Sequence, residues 1–359
     1  MTFKSKQIAW LFDHVPFYNP HRYTKPIIVF LLFFQILVSY CFGQIKVAAL
    51  GDFPLQNGQV IQDCKIAYQT FGRLNTTGSN AILVPTWYGG TSSDLISYIG
   101  EDQMLDSTKY FIIVVDAFGN GISSSPSTSI SQKDNLFPEF SIFDLVASQH
   151  RLLVDELGIE HLPAVTGISM GGIQTYQWMA SYPSFFDLAV PIVGSPLLSS
   201  YELLVFESFE RLMSLAESGN REEVSTISLM LEYALGFSPE FRAENTFVED
   251  FPEFIHGIEK QSSDYSPFDL RSQMRAISSF NIAEKSGDLS LVAENFHGDA
   301  LVVYATQDAL LRPESSKRFA ALLNAEVLEL NSDCGHYSFA CEKDKISKAV
   351  KGFLHQLNQ

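Results

Sequence analysis

Val165–Met179 read VTGISMGGIQTYQWM. A short apolar run ends in Gly-Ile-Ser-Met-Gly-Gly, and the residues beyond it take up helical spacing. A lone serine between glycines, where a strand becomes a helix, has a physical reason. A nucleophile on a sharp turn needs an unfavourable backbone conformation. Small neighbours at Gly167 and Gly171 let the strand and the helix pass close together. The turn aims the Ser169 hydroxyl out of the sheet. It also brings the Met170 N–H, at a helix N-terminus, toward an oxygen that gains negative charge. A glycine-rich turn carrying an idle serine is the competing reading.

The flanking segments place that turn in an α/β fold. From Gln44 to about Arg73, the alternation in KIAYQTFG predicts antiparallel strands. Residues 75–80 form a turn-rich linker. AILVP (81–85) and the run within YFIIVVDAFGNG (110–121) are continuously apolar, as buried parallel strands are. FDLVASQHRLLVDELGI (143–159) places Leu145, Val146, Leu152, Leu153 and Leu157 on one helical face. After the elbow helix, LAVPIVGS (188–195) reads as another strand. This alternation predicts a mainly parallel sheet with helices on both faces. Residues 197 to about 285 have helical stretches and hardly any strand signal. Alternation resumes at ALVVYAT (300–306), a helix near 313–324, EVLELN (326–331) and a last helix over about 341–357. The organisation is a leader over 1–43, a core over 44–196 and 291–359, and a helical lid insertion over 197–290.

A serine hydroxyl is a poor nucleophile without a base, and the base needs an orienting acid. In a strand–elbow–helix architecture they follow in the order Ser, acid, His. Asp308 in YATQDALLRP comes just after a buried strand, and His336 in SDCGHYSF just after the next. Asp308 as a helix cap is the alternative, though a cap would sit nearer Pro313. Asp333 is a rival acid, but no strand end places it. His150 and His161, on or beside a surface helix, are expected to be solvated. The second oxyanion donor is expected from the loop after 81–85, VPTWYGGTS, through the backbone N–H of Trp87, with Tyr88 as alternate.

The 359 residues carry a net charge of −17, with 46% hydrophobic and 18% charged side chains. That composition supports a sizeable core and argues against nucleic acid as a partner. Lys4, Lys6, Arg22 and Lys25 precede PIIVFLLFFQILVSYCFGQ. This is the pattern of an export signal ending at Gly43, with an uncleaved membrane anchor as the alternative. Cleavage takes the net charge from −17 to −20, because four positive charges and one negative are lost. Cys41 leaves with the signal, so Cys64, Cys334 and Cys341 remain. In an oxidising compartment Cys334 and Cys341 are expected to pair across His336, with Cys64 as a competing partner. No metal-binding spacing and no cofactor motif is present. The expected partner is a small-molecule acyl ester, and a homodimer is left open.

These residues resemble the homoserine O-acetyltransferase-like family of α/β-hydrolase-fold enzymes. The resemblance covers about residues 60–355. It is firmest in DAFGNGISSSPS, then in FPEFSIFDLVASQHRLLVDELGIEHLPAVTGISMGGIQTYQWMASYP. It implies a triad of Ser169, Asp308 and His336, an acyl-enzyme intermediate and a helical lid over the site. In the family's acetyltransferases an aspartate directly follows the catalytic histidine and helps hold the amino-acid acceptor; here Tyr337 stands there. The residue before the serine is commonly glycine; here it is Ile168. Those enzymes use cytoplasmic acetyl-CoA, whereas this chain carries an export leader. The expectation is therefore an exported ester hydrolase. An O-acyltransferase is the alternative, and a non-catalytic binding relative a third reading.

Overall fold

The computed structural model describes residues 44–358, so the expected leader and Cys41 lie outside the described residues. Eight strands form one sheet in the order β1-β2-β4-β3-β5-β6-β7-β8. β1 (Lys46–Pro54) pairs antiparallel with β2 (Val60–Phe71), and β2 antiparallel with β4 (Phe111–Val115). The other pairings are parallel: β3 (Ala81–Pro85) with β4 and β5 (Leu162–Ile168), then β6 (Phe186–Ile192), β7 (Asp299–Ala305) and β8 (Glu326–Leu330).

The continuous apolar runs are explained by cover on both faces. Successive side chains of a strand point to opposite sides. Leu83, Ile113, Val115 and Val302 enter one hydrophobic cluster. Their neighbours Ile82, Val84, Ile112, Val114 and Val303 enter the other. A central strand with helices on both sides has no wet face, so its sequence does not alternate. Cutting Ile82, Leu83, Ile112 or Ile113 to alanine would cost about 2–5 kcal/mol.

Helix α1 (Ile142–Arg151) starts at a capping box. The Ser141 hydroxyl accepts from the Asp144 N–H at 3.2 Å, while Asp144 Oδ2 accepts from the Ser141 N–H at 2.8 Å. The expected helix over 143–159 widens at its end into a π turn, Leu152–Glu156. Helix α2 (Met170–Ser181) is buried over nearly its whole length, with Tyr176 and Trp178 fully enclosed. His150 is not solvated as expected. Its ring stacks on Tyr182 with centroids 4.0 Å apart, and burial lowers its pKa. His161 is exposed, and its Nε2 lies 3.1 Å from the Asp187 carboxylate.

Between Leu197 and Asn281 the chain runs through five α-helices: α3 (Ser200–Ser214), α4 (Arg221–Gly236), α5 (Pro239–Asn245), α6 (Phe251–Ser262) and α7 (Pro267–Ser278). The segment leaves and returns at one place, where Leu197 and Asn281 form an antiparallel bridge and the Ile282 N–H donates to the Pro196 carbonyl at 3.1 Å. α8 (Leu289–Asn295) then packs against α9 (Pro313–Leu323). The expected last helix is α11 (Lys343–Leu354), and a four-residue helix, α10 (Ser338–Cys341), precedes it. Among the described residues no helix is long and apolar enough to cross a membrane.

Candidate active site

Ser169 sits between β5 and α2 at φ 57°, ψ −119°, a conformation strained for a residue with a Cβ. The glycines around it are required by contact. A Cβ on Gly167 would stand 2.3 Å from the Gly171 carbonyl oxygen, and one on Gly171 would stand 2.5 Å from that of Pro85. The Ser169 N–H donates to the Ile192 carbonyl at 2.9 Å, so the neighbouring strand β6 holds the turn from the side.

The structure brings Ser169, His336 and Asp308 together. Ser169 Oγ lies 2.8 Å from His336 Nε2, and His336 Nδ1 lies 2.7 Å from Asp308 Oδ2. Asp308 is 2% exposed, and its second oxygen accepts the N–H groups of Leu310 and Leu311 at 2.9 and 2.8 Å. It therefore closes its own loop and does not cap α9, whose N-cap is Arg312. A buried carboxylate facing Nδ1 fixes the tautomer that leaves Nε2 free to take the serine proton. Burial alone pushes the His336 pKa down. The charge and hydrogen bond of Asp308, with the charge of Glu232, outweigh that and hold it above the ordinary imidazole value. The rival Asp333 makes no hydrogen bond or ion pair with His336 among the described residues; its carbonyl takes the Ser238 N–H at 3.2 Å.

Cys334 and Cys341 are joined in a disulfide, with Cα atoms 6.5 Å apart, across the loop that carries His336. Cys64, the alternative partner, is a buried free thiol whose pKa burial pushes up to about 12.

The two expected oxyanion donors come from neighbouring elements. Met170 is the first residue of α2, where an N–H has no intrahelical acceptor. Trp87 follows β3, beside the Pro85 carbonyl that Gly171 approaches. Among the described residues no backbone carbonyl takes the Trp87 N–H. The Trp87 indole packs against Phe339 and Tyr98 and covers Gly90, while the Tyr88 hydroxyl points to Met213 Sδ at 3.7 Å.

Two acidic residues at the site carry no motif. Glu232, half-buried on α4, accepts the Tyr337 hydroxyl at 2.7 Å, and burial raises its pKa. Glu202, 1% exposed on α3, accepts the Ser199 N–H at 2.6 Å and the Arg312 N–H at 3.0 Å, which ties α3 to the loop of Asp308. Among the described residues no group of three or more His, Cys, Asp and Glu side chains could hold a metal ion.

Residues 82–342 match the model of the α/β hydrolase fold family. An ethyl acetate hydrolase of Pseudomonas veronii is 32% identical over 82% of this chain and 89% of its own length. A probable esterase of Corynebacterium glutamicum is 38% identical over 55% of this chain, and the alignment spans only 60% of that protein. A homoserine O-acetyltransferase of Methanohalobium evestigatum is 30% identical over 84% of this chain and 71% of its own length. Among solved structures, an acetylester hydrolase from Corynebacterium glutamicum superposes with a TM-score of 0.80 at 29% identity, covering 88% of this chain and 96% of that one. The chain belongs to the α/β hydrolase fold family, in the homoserine O-acetyltransferase-like group that holds both esterases and acyltransferases, and is a serine hydrolase or acyltransferase of that group.

Proposed function

We propose that this enzyme is an exported hydrolase of small acyl esters that works through an acyl-enzyme on Ser169. The observation that carries the proposal is the pair of short contacts from Ser169 to His336 and from His336 to Asp308. In the first half, the Ser169 oxygen bonds to the acyl carbon while His336 Nε2 takes the serine proton. The Met170 and Trp87 N–H groups stabilise the oxyanion. The ester C–O bond then breaks, and the alcohol leaves with the proton from His336. In the second half water adds to the acyl-enzyme with its proton going to His336, and the acid is released as Ser169 regains its proton. The esterase relatives support short acyl groups. The leader composition and the Cys334–Cys341 disulfide support export, because disulfides persist in oxidising compartments.

One observation favours transfer to an acceptor alcohol. Tyr337 replaces the acid that follows the histidine in the acetyltransferases, yet its hydroxyl holds the Glu232 carboxylate beside His336. A carboxylate facing the acceptor side would suit a cationic alcohol. With one oxygen already engaged by Tyr337, we hold hydrolysis as the reading.

Intact mass after a fluorophosphonate probe, followed by product analysis with an aryl acetate, tests both. Wild type should carry one adduct, on Ser169. Labelling should vanish in Ser169→Ala and fall sharply in His336→Ala, each with a rate loss of several orders of magnitude. Folded but unlabelled wild type points to a binding relative. O-acetylhomoserine forming from acetyl-CoA and homoserine well above the rate of hydrolysis replaces the hydrolase with the transferase.

A further inference from the structure

The loop after β3, Thr86–Ser92, is held by four side chains from outside it. Gln174 Nε2, on α2, donates to the Thr86 carbonyl at 3.0 Å. Asn120 Nδ2 donates to the Gly90 carbonyl at 3.1 Å. Asp116 Oδ1, at the end of β4, accepts the Ser92 N–H at 2.8 Å and a second N–H of Asn120 at 2.9 Å. These three belong to the α/β core. The fourth holder comes from the inserted helices. Gln273, on α7, is 0% exposed; its Oε1 accepts the Gly89 N–H at 2.7 Å, and its Nε2 donates to the Phe118 carbonyl at 2.9 Å.

The geometry around Gln273 is specific. Gly89 has φ +66°, a region that favours glycine. Gly119, at φ +75°, leaves room for α7, since a Cβ there would stand 2.4 Å from Ser272 Oγ and 3.1 Å from Gln273 Cγ. A fully buried amide that spends both ends on two different loops stabilises one arrangement of them, because either group left unpaired there is costly. Trp87 lies two residues before Gly89, inside the turn closed by the Gly90 N–H on the Trp87 carbonyl at 3.1 Å.

We infer that Gln273 is a positioning residue for the oxyanion hole: through Gly89 it sets the direction of the Trp87 N–H, so α7 is part of the catalytic frame and not only a cover over the site. This rests on the acyl-enzyme reading above. Gln273 touches no reacting atom. It acts when charge builds on the acyl oxygen and has no part in ground-state binding, so its loss lowers kcat and spares KM.

The test compares Gln273→Ala, Gln273→Glu and Gln273→Met with Arg275→Ala, a control on the same helix whose partners are Glu139 and Glu210. Hydrolysis of an aryl acetate gives kcat and KM. A trifluoromethyl ketone, whose adduct with a serine places an alkoxide in the oxyanion hole, gives Ki. In Gln273→Ala, kcat should fall roughly 10- to 100-fold, less than the ~100- to 1,000-fold of deleting a donor outright. KM should stay within about twofold, and Ki should rise by the same factor as kcat falls. Gln273→Glu in its protonated form keeps an acceptor for Gly89 and a donor for Phe118, so it should lie above Gln273→Met. Arg275→Ala should change neither kcat nor Ki. Gln273→Ala with normal kcat and Ki overturns the inference, as does a fall in kcat with Ki unchanged. The reverse order of Glu and Met overturns it too, and that comparison stands even if the alanine variant does not fold. Active wild type with indifferent Gln273 variants overturns this inference alone. Wild type that shows neither burst nor inhibitor adduct overturns the acyl-enzyme reading with it.

Discussion

His336 faces two carboxylates of different kinds. Asp308 is enclosed and bonded directly to the ring; Glu232 is half-buried and acts through its charge. Because the net effect raises the His336 pKa, and the base must be neutral to accept a proton, activity should fall on the acid side from a point above the ordinary imidazole value. Glu232→Gln removes one of the groups that raise it. The acid limb of kcat/KM should then move to lower pH, whereas Tyr337→Phe, which removes the hydrogen bond and leaves the carboxylate, should move it less. An unmoved limb in Glu232→Gln would assign Glu232 a purely structural contact. Ser169, Asp308 and His336, which the structure brings together, were legible in the chain because each follows a strand, and a strand end is a place that sequence can specify. Glu232 and Gln273 were not. Each lies on an inserted helix whose periodicity tells only which face is apolar, and each acquires its role from a residue far away in the chain. His150 was misjudged for the same reason: a helix end was legible, but the aromatic cluster of Trp178, Tyr182 and Phe185 that closes on it was not.

At the scale of elements, α7 has a second attachment to the core. Asp269, 5% exposed, accepts the Ser127 N–H at 2.8 Å and the Ser127 hydroxyl at 2.5 Å. Burial raises its pKa to about 6; the bonds from Ser127 oppose that, and the charge of Asp134 adds to it. Between the ordinary carboxylate value and about 6, the folded chain holds a proton that the unfolded chain has released. Stability therefore rises as pH falls through that window. Asp269→Asn, which keeps an acceptor for Ser127, should flatten that contribution in urea unfolding measured between pH 4 and 6.5. An unchanged pH slope would show that Asp269 is ionised in the native state throughout. The Cys334–Cys341 bridge ties the His336 loop to α10. Its closed loop is short, so replacing both cysteines by serine should cost about 2–3 kcal/mol. A non-reducing peptide map of native-source protein should show the bridge and a first peptide starting at Gln44. Both cysteines freely alkylated there would remove the bridge and, with it, the main structural support for export. The central strands were readable from their apolar runs, and the antiparallel edge from its alternation. The four-residue helix α10 ahead of the last helix was not, since so short a segment shows no helical period.

For the molecule as a whole, the sheet order puts the elbow strand β5 at the centre, with β7 and β8 added outward on one side. Parallel pairing and the long crossover between β6 and β7 account for both the fold's legibility and its gap. The strand–helix rhythm identifies the class, while the packing of the five inserted helices depends on contacts that no local pattern encodes. That layout also has a temporal side. The nucleophile elbow is complete by residue 181, but its proposed acid arrives at 308 and its proposed base at 336, in the segments after β7 and β8. At ~5–20 residues per second, roughly ten to thirty seconds of synthesis separate the serine from its histidine. A chain that is nascent, stalled or clipped ahead of β8 carries the elbow sequence but not the histidine that would take the serine proton. On the proposed mechanism the enzyme is thus born inert, and its chemistry switches on only once His336 has been made and folded into place.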